Sequence, residues 1–177
     1  MTTSREFLEL ALSGEPITAA HLDVLVKERV KEDEYIDYKS GALLKKPPKE
    51  RARTVREYLS GFANSDGGVV IFGIQEEKER PTQVDGCDPK DVGGNLMGWA
   101  SHCVNPIWAF FSPLPRFEVV AHPEGEVLVC AVGRSYNLVP VVEEGRLAYH
   151  LRLGHQTLPA TDYLMADLLL AGGRGQI

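Results

Sequence analysis

The sequence predicts a single α/β domain, and three observations carry that expectation. A chain of 177 residues with 44 % hydrophobic and 25 % charged residues has the length and composition of one globular domain with a sizeable core. Residues 49–64 repeat apolar side chains at helical spacing. Residues 69–74 (VVIFGI) form an unbroken apolar run of strand length, as expected of a central strand covered on both faces.

Taken in order, residues 5–13 predict a short helical lead-in. Pro16, Ile17 and Thr18 then open a second helix, with Thr18 as N-cap and Leu22, Leu25, Val26 and Val30 as its apolar stripe. Residues 35–39 alternate: Ile36 and Tyr38 face one way, and Tyr35, Asp37 and Lys39 the other, which predicts a half-buried strand. Residues 40–48 read as a loop broken by Gly41, Pro47 and Pro48. In the helix over 49–64, Ala52, Val55, Tyr58, Leu59, Phe62 and Ala63 make one face, while Lys49, Arg53 and Arg56 share another. Residues 64–68 (NSDGG) are turn chemistry. Residues 75–88 predict a hairpin or open loop, and 88–103 a helix capped by Asp88 with Pro89 in its first turn. Strands are predicted over 107–111, 116–121, 127–132, 139–142 and 147–153. A closing helix is predicted over 161–171, with Leu164, Met165, Leu168 and Leu169 on its apolar face. The organisation expected is a lead-in over 1–17, a domain over 18–171 and a frayed tail over 172–177.

Composition narrows the class of protein. No apolar run approaches the roughly 18 residues that would span a bilayer, and residues 1–6 (MTTSRE) lack an apolar signal core. Cys87, Cys103 and Cys130 are odd in number, widely spaced and without a CxxC pair, which points to a reducing cytoplasm and against a disulfide framework or zinc ribbon. The net charge of −6 is unevenly spread. Residues 39–56 hold Lys39, Lys45, Lys46, Lys49, Arg51, Arg53 and Arg56 against Glu50 alone, a local +6, so the remainder carries −12. Such a stripe can contact phosphates on an acidic protein, or be a solvated helix face.

Two groups of residues carry possible chemistry. Glu32, Asp33, Glu34 and Asp37 crowd the entry to the first strand, and Glu76 and Glu77 follow the end of the buried one. Carboxylates from distant segments meeting at strand ends suit a hard cation such as Mg²⁺ or Mn²⁺, whose remaining sites substrate phosphate and water can fill. Glu32 and Asp37 are five apart, which on a straight strand sends them to opposite faces, so they converge only if Glu32 lies at the helix end or a bulge intervenes. Asp37 and Lys39, at i and i+2, share one strand face, as in D-x-K nuclease sites, where the lysine orients water or stabilises developing charge; the same spacing also serves a plain ion pair. His21, His102, His122, His150 and His155 show no zinc spacing, Trp99 and Trp108 suit a core, and P-loop, GxSxG and GxGxxG motifs are absent.

Three segments resemble the Schlafen AlbA_2 family. Glu32, Asp37, Tyr38 and Lys39 resemble its E-x4-E-F-K signature, residues 58–74 (YLSGFANSDGGVVIFGI) its A-F-A-N-[ST]-x-G-G segment, and residues 149–160 (YHLRLGHQTLPA) its Y-x-R-x-G-x-x-T-x-x-A ending. The resemblance implies a mixed β-sheet flanked by helices. It also implies a nucleic-acid partner, RNA ahead of DNA, and a metal-dependent endoribonuclease acting on structured RNA such as tRNA. Matched by position, the catalytic and metal residues fall on Glu32, Asp37 and Glu76, with Lys39 assisting and Mg²⁺ or Mn²⁺ as cofactor. Asp37 stands where the family has Glu, which draws the carboxylate back by about one C–C bond. Lys45, Lys46, Lys49, Arg53 and Arg56 would hold the nucleic-acid backbone, joined by Arg152 as a phosphate ligand unless that arginine is a structural ion-pair partner. The family's other role is a non-catalytic DNA- or RNA-binding or regulatory module, and its members often pair, so a homodimer is expected.

Overall fold

Local signals set the first helix boundaries. Thr3 caps α1 (Ser4–Ser13) reciprocally with Glu6, and Gly14 at φ 88° closes it in the left-handed conformation that glycine adopts without strain. Thr18 caps α2 (Ala19–Lys27), with His21 Nδ1 accepting the Thr18 N–H at 3.0 Å. The computed structural model describes residues 2–161 and Met165. Apart from Thr161 and Met165, the predicted helix over 161–171 and the tail over 172–177 lie outside the described residues.

A mixed four-stranded sheet organises the chain, in the order β1 (Ile36–Lys39), β2 (Gly67–Phe72), β6 (Gly125–Gly133) and β5 (Arg116–His122). β1 and β2 are parallel, which requires a crossover; α3 (Pro48–Ala63) provides it. The other pairings are antiparallel. β3 (Ile74–Glu77) and β4 (Arg80–Val84) form a hairpin, while β7 (Pro140–Glu143), β8 (Arg146–Leu153) and β9 (Gln156–Pro159) form a second sheet packed on α3. α4 (Leu96–Val104) packs beside α3.

Strand alternation divides the core into two layers. Val69 and Ile71 of β2 join Ile36, Tyr38, Phe7, Leu22 and Leu25 beneath α1 and α2. Val70 and Phe72 join Val55, Leu59 and Phe62 beneath α3 and α4. Gly68 lies against the Phe62 ring, where an added Cβ would come within 1.9 Å. Asn64 ties the end of α3 to the second sheet: its amide donates to Val139 O and His150 O, at 2.9 and 3.0 Å, and accepts the Val139 N–H.

Four expectations need correction. The strand over 35–39 is covered on both faces rather than one, because α3 and β8 cap the Asp37 side; Asp37 is only 1 % exposed. The helix over 88–103 is two elements, a 3₁₀ turn (Pro89–Val92) and α4, broken where Gly93 and Gly94 take φ of 84° and 98° and Asn95 caps anew. The strand over 107–111 is a 3₁₀ segment (Asn105–Phe110) with Pro106 in its first turn; a short apolar run does not by itself distinguish strand from helix. The loop over 40–48 contains a 3₁₀ turn (Gly41–Lys45) capped by Ser40. β9 had no strand signal beyond the turn around Gly154. Among the described residues no helix is long and apolar enough to cross a membrane. Cys87, Cys103 and Cys130 are free and buried.

A charged cluster at the open edge of the parallel pair

β1 is an edge strand, and charged side chains satisfy its unpaired backbone groups. Glu32 lies in the loop before β1 and turns back, so that its Oε1 accepts the Tyr38 N–H at 2.9 Å. Arg152, from β8, donates to Ile36 O at 3.1 Å and to Asp33 O at 3.0 Å. Glu32 thus reaches the Asp37 region from the loop, five residues past the end of α2, rather than from the helix end or a strand bulge that its spacing suggested.

Asp37 faces the α3 layer between two cations. Arg152 Nη1 lies 2.8 Å from Oδ2 and Lys39 Nζ lies 2.5 Å from Oδ1. Arg152 also donates to Thr157 Oγ1 at 3.2 Å, and its guanidinium sits 4.9 Å from the Phe62 ring centroid; Lys39 sits 4.5 Å from that of Tyr58. Arg152 is 3 % exposed, so its guanidinium is enclosed and holds β8 to β1. That is the ion-pair role, and the enclosed guanidinium does not present itself to a phosphate as a surface ligand would.

Protonation follows from this enclosure. Burial, then the Asp37 charge, push the Glu32 carboxyl up to about 7, with Glu76 adding to the shift and the Tyr38 N–H and Lys39 opposing it. Burial acts to lower the Lys39 ammonium, but Asp37 and Tyr58 reverse this and the net shift is upward.

Glu76 is exposed at the β3 bulge, and its Oε2 accepts the Glu79 N–H at 2.9 Å. Glu79 meets Lys31 at 2.8 Å and His155 at 3.1 Å, and its carbonyl accepts the Glu32 N–H. Glu32, Asp37 and Glu76 are therefore near enough to influence Glu32 electrostatically, but they do not form a ready cation site. Among the described residues no group of three or more His, Cys, Asp or Glu side chains could hold a metal ion. Both Asp37 oxygens already face cations, so this arrangement of donors does not fit Mg²⁺ or Mn²⁺.

The basic stripe is exposed but partly compensated. Lys45, Lys46, Lys49 and Arg53 face solvent. Lys46, just before α3, pairs with Glu50 in its first turn at 3.0 Å, and Arg53 with Glu57 one turn on at 2.5 Å. Arg56 is half-buried and donates to Cys103 O at 3.0 Å. Lys45 borders a cavity of about 510 Å³ whose other walls include Asp85, Asp88, Asp91, Glu124 and Glu126, a poor neighbourhood for phosphate. Glu57, the partner of Arg53, lies just beyond the basic run, and its i, i+4 spacing from Arg53 is the signal that could have found it. Tyr58 and Phe62, the aromatic shelf beneath the two buried cations, and Thr157 were visible as motif positions but not in those roles.

An α/β domain with helices on both faces of a mixed sheet, and with buried charges along its parallel edge, defines the structural class. The chain belongs to the Schlafen AlbA_2 family, whose pattern matches residues 32–161. This family is generally associated with nucleic-acid binding. Among solved structures, the crystal structure of the DIP2311 protein from Corynebacterium diphtheriae superposes with a TM-score of 0.55 at 15 % identity, covering 86 % of this chain and 28 % of that one. This chain thus spans little more than a quarter of that protein, and the likeness is one of fold. The solution structure of the N-terminal domain of a putative ATP-dependent DNA helicase RecG-related protein from Nitrosomonas europaea gives a TM-score of 0.44 at 18 % identity, covering 81 % of this chain and 92 % of that one. No curated protein matches.

Proposed function

We propose that this chain is a cytoplasmic nucleic-acid-binding domain that grips the phosphate backbone through the exposed side of α3, with RNA the preferred partner and a second copy extending the basic surface. The observation that carries the binding reading over a cleaving one is the state of Asp37, whose two oxygens face Arg152 and Lys39 and act as a counter-ion. Lys46, Lys49 and Arg53 supply the phosphate contacts. Their pairs with Glu50 and Glu57 are exposed i, i+4 pairs, each worth only about 0.3–0.5 kcal/mol, so a polyanion can compete for them.

The second reading is a metal-dependent endoribonuclease with Glu32, Asp37 and Glu76 as ligands and Lys39 assisting. It is favoured by the Glu32 carboxyl, pushed up to about 7 by burial and by the neighbouring carboxylates of Asp37 and Glu76, the kind of crowding a bound cation relieves. It requires Asp37 to leave Arg152.

One experiment separates the two readings. Labelled tRNA, single-stranded DNA and duplex DNA are incubated with the protein at low salt, with Mn²⁺ or with EDTA. Retarded, intact nucleic acid in both conditions is the expected result. Cutting with Mn²⁺ that disappears in Glu32→Ala and Asp37→Ala establishes the nuclease instead, and absence of retardation for all three probes sinks both readings.

A further inference from the structure

Acidic residues are common in this chain, 25 in 177, yet none occurs between Asp91 and Glu118 or between Glu126 and Glu143. The fold brings the loops from these two stretches together at the end of α3. The Tyr136 N–H donates to Ser112 O at 2.8 Å, the Ser112 N–H donates to Ser135 Oγ at 3.1 Å, and the Ser135 N–H donates to Ala63 O at 2.8 Å. Ser135 is 1 % exposed, so the loop backbone is anchored in the protein. On this anchored backbone Tyr136 stands 80 % exposed, with Phe110 at 42 % and Leu114 at 48 % on the facing segment. Anchored loops that leave an aromatic ring in water gain nothing for folding from that ring, and clustered exposed apolar side chains mark contact surfaces.

The charges around the patch choose the partner. Arg134 is adjacent, and its nearest acid, Asp66, is 3.7 Å away with both side chains more than half exposed, too loose a pair to hold the guanidinium. Arg56 and exposed His102 lie further along, at the end of α4 that leads into the Phe110 segment. In an acidic protein, an acid-poor surface combining exposed aromatics with arginine suits unpaired bases, which stack on rings while their phosphates meet the cations.

We infer that Phe110, Leu114 and Tyr136, with Arg134 beside them, form a base-stacking platform for single-stranded nucleic acid. The inference rests on the nucleic-acid-binding reading and narrows it to unpaired strands, continuing past the basic side of α3. It is tested by fluorescence polarisation with three labelled probes of equal length: an oligouridylate, the same backbone without bases, and a duplex. The unmodified protein binds the oligouridylate more tightly than the base-free strand. Tyr136→Ala weakens oligouridylate binding roughly tenfold and leaves base-free binding unchanged, and Tyr136→Trp restores it. Arg134→Ala lowers the salt slope by about 0.7, whereas Tyr136→Ala leaves it unchanged. Equal affinity for strands with and without bases, or an unaffected Tyr136→Ala, overturns the platform while leaving α3 as a backbone contact. Failure of all probes to bind at low salt overturns the nucleic-acid reading itself. A dimer in size-exclusion chromatography that Tyr136→Ala dissociates reassigns the patch to contact between copies and also overturns the inference.

Discussion

The β1 edge and the exposed side of α3 contain the same kinds of residue in opposite circumstances. At the edge, Glu32, Asp37 and Arg152 are 8 %, 1 % and 3 % exposed; Glu32 accepts the Tyr38 N–H, and Arg152 donates to Asp37 and to the Ile36 carbonyl. Along the outer side of α3, Lys46, just before the helix, and Arg53, on it, meet Glu50 and Glu57 at the surface. A charge removed from solvent must be matched, and once matched it binds elements together; a charge left in solvent is held weakly and remains available to a partner. In this protein, then, Asp37 and Arg152, with catalytic-looking spacing, tie the second sheet to the β1 edge, and the basic stripe, with the least specific spacing, stays at the surface. Three predictions test that division.

The largest effect is expected at Arg152. Arg152→Met keeps a long side chain against Phe62 but removes the hydrogen bonds to Asp33 O, Ile36 O, Asp37 and Thr157. Breaking one side of a buried pair costs about 3–5 kcal/mol. Urea unfolding should show a loss of that size. A loss below about 1 kcal/mol, the scale of an exposed pair, would mean that β8 is not held to β1 through this residue and that the contrast with α3 fails.

Glu32 gives a smaller effect with a definite pH signature. Its carboxyl is raised from 4.5 to about 7 in the folded protein. The folded state therefore binds that proton more tightly than the unfolded chain does. Below 4.5 both states are protonated and there is no difference; as pH rises from 4.5 to 7 the unfolded chain ionises first and stability falls; above 7 the full cost remains. The direction follows from burial and from the neighbouring Asp37 charge, which both disfavour the ionised form in the folded protein. Glu32→Gln keeps an oxygen for the Tyr38 N–H and removes the charge, so it should stabilise at pH 8 and have almost no effect at pH 4. An equal effect at both pH values would place the cause in packing rather than in ionisation.

The scaffold was legible in the sequence where periodicity was strong. The apolar face of α3 and the continuous run of β2 marked helix and buried strand within a residue or two of their bounds, and Thr18 marked the start of α2, whose expected stripe ran on to Val30 although the helix ends at Lys27. Legibility failed where a short apolar segment had no period, as at Ile107, and where paired glycines ended one turn and Asn95 began another. The site was legible as a set of residues but not as a set of bonds. The Arg152 and Asp37 motif positions are 115 residues apart, and only the packing of β8 on α3 shows that they meet. Lys39 and Asp37 share a strand face as their spacing requires, yet whether that face was covered depended on the second sheet, which no local pattern announces.

The smallest stability effect belongs to α3. Arg53→Ala and Lys46→Ala each remove one exposed i, i+4 pair, so each should change stability by no more than about 0.5 kcal/mol. Their effect should instead appear in binding. If α3 holds the backbone, Lys46→Ala, Lys49→Ala and Arg53→Ala weaken binding across sequences alike, and each lowers the salt slope by about 0.7–0.9, one phosphate contact apiece. Glu50→Gln and Glu57→Gln provide the sharper comparison. Each removes a carboxylate that faces a cation without adding charge, so each should tighten binding if the pair competes with phosphate; Glu57→Gln also removes the 3.8 Å contact with His150 Nε2. If instead the glutamates leave affinity unchanged while the lysines weaken it, the pairs open at no cost on binding, and the availability of this face is governed by solvent rather than by its acidic neighbours.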